Sequence, residues 1–237
     1  DVAKGAADMI LTDDNFASIE AAVEEGRNVF DNLTKFIVWT LPTNLGEGLV
    51  ILAAIVAGVA LPALPVQILW INMTTAVLLG LMLAFEPKEA DIMLRPPRDP
   101  RSPILTGELI GRIVLVSLLM LVGVFGLFFR MQSNGADVAE ARTVAVNLFV
   151  MIELFYLFNC RSFTRSIFRI GLFTNPWVIA RPADMIALQL LFTYAPVMNR
   201  IFHSAPIGVE EWISIVLISA AIYLVVGMEK WLRNRNR

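Results

Sequence analysis

Six apolar stretches constrain this chain more than anything else in it. They cover about residues 38–58, 66–84, 109–129, 143–160, 178–198 and 211–229. Each approaches the roughly 20 residues that a helix needs to cross a ~30 Å hydrocarbon core. Inside a bilayer every backbone N–H and C=O must find its partner within the protein, and only helices and closed barrels manage this. Runs of this length and spacing select helices. The chain is 57% hydrophobic and 17% charged, against roughly 45–50% and 25% for soluble domains. The expected fold is therefore an all-α polytopic membrane protein with six transmembrane helices and the lipid bilayer as its main partner. A net charge of −2 gives no footing for nucleic acid, and a single cysteine excludes an internal disulfide. Cys160 reads as a small packed residue.

The first 35 residues differ from the rest. "DVAKGAADMILTDDNF" has no initiator Met, basic n-region or small-residue cleavage site, so it does not read as a signal peptide. It reads as the continuation of something longer. "NFASIEAAVEEGRNVFDNLTKF" places apolar residues at helical spacing among charges, with Asn15 as the cap. Asp13 and Asp14 are expected to flank this helix. It should run from water directly into the first span. Basic residues set the topology. Lys88, Arg95, Arg98, Arg101 and Arg112 follow the second span, Arg161, Arg165 and Arg169 the fourth, and Lys230, Arg233, Arg235 and Arg237 the sixth. The alternate connections are poorer, so both termini are expected in the cytoplasm of an integral membrane protein, in the plasma membrane. In the fifth span Arg181 should snorkel to the interface and pair with Asp184 one turn away.

Polar residues interrupt three of the spans. "PTNLGEGLV" carries Asn44 and Glu47, three apart and so on one helix face. Gly46 and Gly48 should admit a neighbouring helix, and Pro42 should leave the carbonyl near Val38 without its helical donor. "LWINMTTAVLLG" brings Asn72, Thr74 and Thr75, and "NLFVMIELFYLFN" brings Glu153. A carboxylate at this depth costs about 2.5–3.5 kcal/mol on insertion scales, so something must offset it. These oxygen donors, without His or Cys among them, suit a hard cation such as Ca²⁺, Na⁺, K⁺ or H⁺. The competing reading is polar helix–helix adhesion.

"MILTDDNFASIEAAVEEGRNVFDNLTKFI", "TNLGE", "PVQILWINMTT" and "DIMLRPPR" occur in this order and at close spacing. Together they resemble the C-terminal membrane part of a P-type cation-transporting ATPase of the calcium-pump-like (type II) group. The resemblance implies that residues 1–25 are a remnant of a HAD-like α/β phosphorylation domain, 26–37 a stalk helix, and 38–237 the transport domain with the fifth to tenth membrane helices. It implies cation-binding roles for Asn44, Glu47, Asn72, Thr75 and Glu153, the set already singled out by polarity. Ca²⁺ is the first expectation for the transported ion, with Na⁺, K⁺, H⁺ or another divalent cation as alternatives.

One position departs from the family pattern. Calcium pumps carry an Asp directly after the sixth-helix Thr and a Gly after that, where this chain has Ala76 and Val77. A bridging ligand and one negative charge are lost, which favours a single divalent site or a monovalent ion. The family's "DKTGT" and "TGDGVND" motifs are also not in this sequence. The resemblance therefore places no catalytic residue here, and puts ATP and Mg²⁺ on the remainder of the same pump polypeptide, with its phosphorylation, nucleotide-binding and actuator domains and first four helices. Two readings compete with a pump: a self-contained secondary transporter or channel, and a non-catalytic assembly subunit whose polar residues only pack.

Overall fold

The computed structural model describes all residues except 1–4, 8–9, 13–14, 100, 102, 163–176 and 236–237. The expectations for Asp13, Asp14, Arg165, Arg169 and Arg237 lie outside the described residues. Those described form helices, turns and irregular connections, with no strand among them.

Helix α1 (Phe16–Ala57) starts where Asn15 accepts a hydrogen bond from the Ala17 N–H at 3.0 Å, and it ends at Gly58 in the left-handed region. It is one unbroken helix of 42 residues. The expected stalk and first span are thus a single rod, and it begins ahead of residue 26. Helix α2 (Pro65–Ala84) has Pro at its first position and is α-helical over Pro65–Thr75. It takes a π-helical turn over Ala76–Gly80, where the Leu81 N–H reaches the Ala76 carbonyl, and it resumes at Leu81. The Thr74 and Thr75 hydroxyls donate back to the Trp70 and Ile71 carbonyls at 2.7 and 2.9 Å, which loosens the ladder just ahead of that turn.

Helices α3 (Gly107–Ser133) and α4 (Val138–Cys160) form an antiparallel pair joined by a short turn. Helix α4 is apolar on every side, as "VAVNLFVMIELFYLF" shows, and such a helix belongs in the centre. It is buried along most of its length, with α1, α2, α3, the fifth span and the last helix around it. The last helix, α7 (Val209–Arg235), closes the bundle against α4 and α3. Gly46 of α1 marks a close approach: a Cβ there would lie 2.9 Å from Met120 Sδ on α3. Gly48, expected to play the same part, has open space around it.

The fifth stretch, expected as one span, is two helices. α5 (Trp177–Tyr194) ends at Ala195, and α6 (Pro196–Phe202) leaves it at 80°. Pro196 has no N–H to offer the Phe192 carbonyl. That carbonyl instead accepts from Ser204 Oγ at 2.7 Å and Asn199 Nδ2 at 3.2 Å. Near the cytoplasmic end expected for α5, Arg181 pairs with Asp184 at 3.5 Å and stacks over Trp177 at 4.8 Å. Five helices are long and apolar enough to cross a membrane, and the bent pair makes a sixth crossing if taken as one.

Candidate cation site

The site is assembled where α1, α2 and α4 meet. Pro42 prepares α1 for it. Its missing N–H frees the Val38 carbonyl, and the Tyr156 hydroxyl of α4 donates to that oxygen at 3.0 Å. One turn on, the Pro42 carbonyl accepts from Ser117 Oγ of α3 at 2.9 Å. Trp39 Nε1 donates to the Glu153 carbonyl at 3.0 Å and ties the α4 backbone to α1 at the height of the acidic side chain. Sequence reasoning did not single out Trp39, Ser117 or Tyr156. The one signal was the carbonyl that Pro42 had to leave open.

Within this frame Glu47 of α1 and Glu153 of α4 are buried, with exposures of 3% and 2%. Glu47 Oε2 accepts from Asn72 Nδ2 at 2.7 Å, and the same amide reaches the Ile68 carbonyl at 3.1 Å. The Glu153 carboxyl lies beside Thr75 and Glu47, near enough for both to act on it electrostatically. Glu47 Oε1 and Glu153 Oε2 are buried without a hydrogen-bond partner. Among the described residues no Lys or Arg pairs with either acid, and no cluster of three acidic, His or Cys side chains stands ready for a metal. Two carboxyls, one amide and one hydroxyl converge instead. Like charges so placed need a positive charge or a proton between them.

Four of the five residues singled out in the sequence are brought together: Glu47, Asn72, Thr75 and Glu153. Asn44 is not. It lies on the exposed face of α1 beside Leu41, Leu45 and Gly48. Ala76 is also exposed, at the start of the π-helical turn. Glu47 therefore lies inside the bundle while Asn44, three residues before it, faces outward among apolar neighbours.

A second ionic region lies at the other end of the bundle. Glu86, after α2, is buried and pairs with Arg161 at 2.6 Å. Asn32 of α1 donates to the Glu86 backbone carbonyl at 2.8 Å. Arg95 holds Asp31 at 2.6 Å and Glu89 at 2.9 Å. Arg27 donates to the Ile92 and Arg95 carbonyls, both at 2.8 Å. Burial pushes the Lys35 ammonium down from its ordinary value, against the pull of Glu89, Glu86 and Asp31. On the far side Arg112 pairs with Glu229 at 2.8 Å, and Lys230 donates to the Asn159 and Ser162 carbonyls. Burial lowers the Lys230 pKa to about 8, with the Arg112 charge adding to the effect.

The described residues thus form a helical bundle with paired acids at one end and two acids without a basic partner between α1, α2 and α4. Residues 60–232 match the family model described as "Cation transporting ATPase, C-terminus", and the chain belongs to that family, as the membrane part of a P-type cation ATPase. It is 62% identical over 229 residues to the "Probable cation-transporting ATPase F" of Mycobacterium tuberculosis, covering 97% of this chain and 25% of that protein. It is 40% identical over 220 residues to the "Cation-transporting ATPase pma1" of Synechocystis, covering 90% and 24%. Against the "Calcium-transporting ATPase" of Bacillus subtilis the figure is 37% over 229 residues, covering 96% and 26%. The chain thus spans about a quarter of the length of these relatives.

Proposed function

We propose that this chain supplies cation-binding residues of an ATP-driven pump, and that Glu47, Asn72, Thr75 and Glu153 form the inner wall of one transport site. The observation that carries the reading is the pair of buried carboxyl oxygens, Glu47 Oε1 and Glu153 Oε2, left without partners beside each other's acid groups. A bound cation satisfies both and cancels their repulsion, and a proton does so when the site is empty. Helix adhesion would not retain two unpaired acids in contact. Asn44 completes the site from the exposed face of α1, where the remainder of the pump polypeptide covers it.

Ca²⁺ is the preferred cargo. All the donors are oxygens, and calcium-transporting relatives, such as that of Bacillus subtilis at 37% identity, support the choice. With Ala76 in place of an acid, the site holds one divalent ion rather than two. Phosphorylation, ATP and Mg²⁺ belong to the rest of the polypeptide, so this portion is transport machinery without its own catalytic residue. The pump sits in the plasma membrane with the Phe16 end of α1 and the end of α7 both in the cytoplasm.

The test is ATP hydrolysis by the purified full-length pump, titrated with Ca²⁺, Mn²⁺, Mg²⁺, Na⁺ and K⁺. Saturable stimulation by Ca²⁺ at a Hill coefficient near one supports the reading. Stimulation by Na⁺ or K⁺ alone would move the assignment to a monovalent ion. Stimulation that survives unchanged in both Glu47→Gln and Glu153→Gln would return these residues to a packing role.

A further inference from the structure

Two cavities lie along the outer seam between α2 and α5. One, of about 260 Å³, is lined by Val77, Leu81, Met82 and Phe85 of α2 and by Trp177 and Arg181 of α5. The other, of about 370 Å³, is lined by Leu69, Met73 and Leu78 among others, with Leu188 facing them from α5. Val77 lines both, so the two cavities adjoin along the seam and are taken together as one groove. Its wall is apolar, and Met73, Val77, Leu81 and Phe85 are all exposed.

Thr74 and Trp70 also line the second cavity, but the Thr74 hydroxyl donates to the Trp70 carbonyl and the Trp70 indole N–H to Gln189, so charged groups occur at one end only. There Arg181 stacks on Trp177, and Asp184 stands one turn along α5. The two charges touch through a single 3.5 Å contact, and both side chains are well exposed, at 38% and 55%. Neither is committed to a strong partner. An Arg and a Trp lining the end of an apolar groove, with an Asp one helical turn from the Arg, match the two charges of a zwitterionic headgroup above an acyl chain.

We propose that this groove is a binding site for one phosphatidylethanolamine molecule from the adjoining leaflet. Its phosphate accepts hydrogen bonds from Arg181, its primary ammonium donates to the Asp184 carboxylate, and one acyl chain lies along Leu81, Val77 and Met73. A choline headgroup lacks the N–H donors that Asp184 requires. A glycerol headgroup lacks the positive charge.

The test is native mass spectrometry of the full-length pump released from detergent, with equal amounts of phosphatidylethanolamine, phosphatidylcholine and phosphatidylglycerol of identical acyl chains. One retained phosphatidylethanolamine is expected at about three- to fivefold over the other two, the size that exposed ionic contacts give. Asp184→Asn should bring phosphatidylethanolamine down to the phosphatidylcholine level and leave phosphatidylcholine unchanged. Arg181→Gln should weaken all three, and Leu81→Trp, which fills the groove, should remove the bound lipid altogether. Both charge variants lie on the exposed surface and should keep the cation-stimulated activity of the parent. Equal retention of the three lipids by the parent overturns the proposal, as does a preference for phosphatidylglycerol. So does a selectivity that persists in Asp184→Asn, or a membrane peptide found in the groove in place of lipid.

Discussion

The two acidic regions of this molecule solve the same electrostatic problem in opposite ways. At the end of the bundle each buried or half-buried acid has a basic partner within reach: Glu86 has Arg161, Asp31 and Glu89 share Arg95, and Glu229 has Arg112. In the middle, Glu47 and Glu153 have an amide, a hydroxyl and each other. Removing one member of a buried ion pair costs about 3–5 kcal/mol, because the other charge is stranded. Removing an acid that was never paired costs the fold little. On the proposed reading, the difference separates acids that hold the structure from acids that bind the transported ion.

This contrast is open to attack by mutation. Glu86→Gln removes a buried ion pair with Arg161 and should lower the stability of the full-length protein by about 3 kcal/mol, read as a fall in its thermal midpoint. Glu153→Gln should leave that midpoint within about 1 kcal/mol of the parent, since no basic group loses a partner. Equal destabilisation by the two would erase the distinction. Gly46→Leu comes next. Its side chain must displace Met120, whose Sδ stands 2.9 Å from the Cβ position, so about 1–3 kcal/mol of stability should be lost. Gly48→Leu, facing open space, should be nearly neutral. Ala76→Asp restores an acid beside the site and should tighten divalent binding about tenfold, or roughly 1.4 kcal/mol. Unchanged affinity would mean that position 76 does not face the ion.

The smallest expected effect is a pH dependence at the structural end. Lys230 is protonated up to about its ordinary 10.5 in the unfolded chain but loses its proton near 8 in the folded protein. Between those values the unfolded state carries more protons, so this residue makes stability rise with pH across that window. The thermal midpoint should climb by about 2 °C from pH 8 toward 10. In Lys230→Met that rise should disappear.

Much of this architecture was written in local patterns. The apolar runs gave helices because lipid leaves the backbone no other choice. The Arg181–Asp184 pair and the Asn15 cap followed from spacing along a single helix. What the sequence left open depended on distant partners. Pro42 and Pro196 each announce a vacated carbonyl. Nothing in the local sequence says that Tyr156 fills one, 118 positions away, while Ser204 and Asn199 fill the other, or that α5 then turns by 80°. The three-residue spacing of Asn44 and Glu47 put them near one another. Yet three residues turn the helix by about 300°, and that residual angle leaves one exposed and the other buried. The π-helical turn at Ala76 was only half legible: the Thr74 and Thr75 hydroxyls that loosen the ladder ahead of it are local, but the tight packing of α2 on α1 around it is not. There Gly80 lies so near Phe36 that a Cβ would sit 2.6 Å from the ring.

The central claim is that Glu47 and Glu153 are left unpaired for a cation. Direct binding of ⁴⁵Ca²⁺ to the full-length pump, without ATP, tests it with the fewest assumptions. The account predicts one ion bound per polypeptide, and a loss of affinity of about 100-fold in Glu47→Gln and in Glu153→Gln, the order expected when a charged ligand is removed from a desolvated site. Glu86→Gln should bind as the parent does wherever it remains folded. Undiminished binding in both the Glu47 and Glu153 variants would contradict the account.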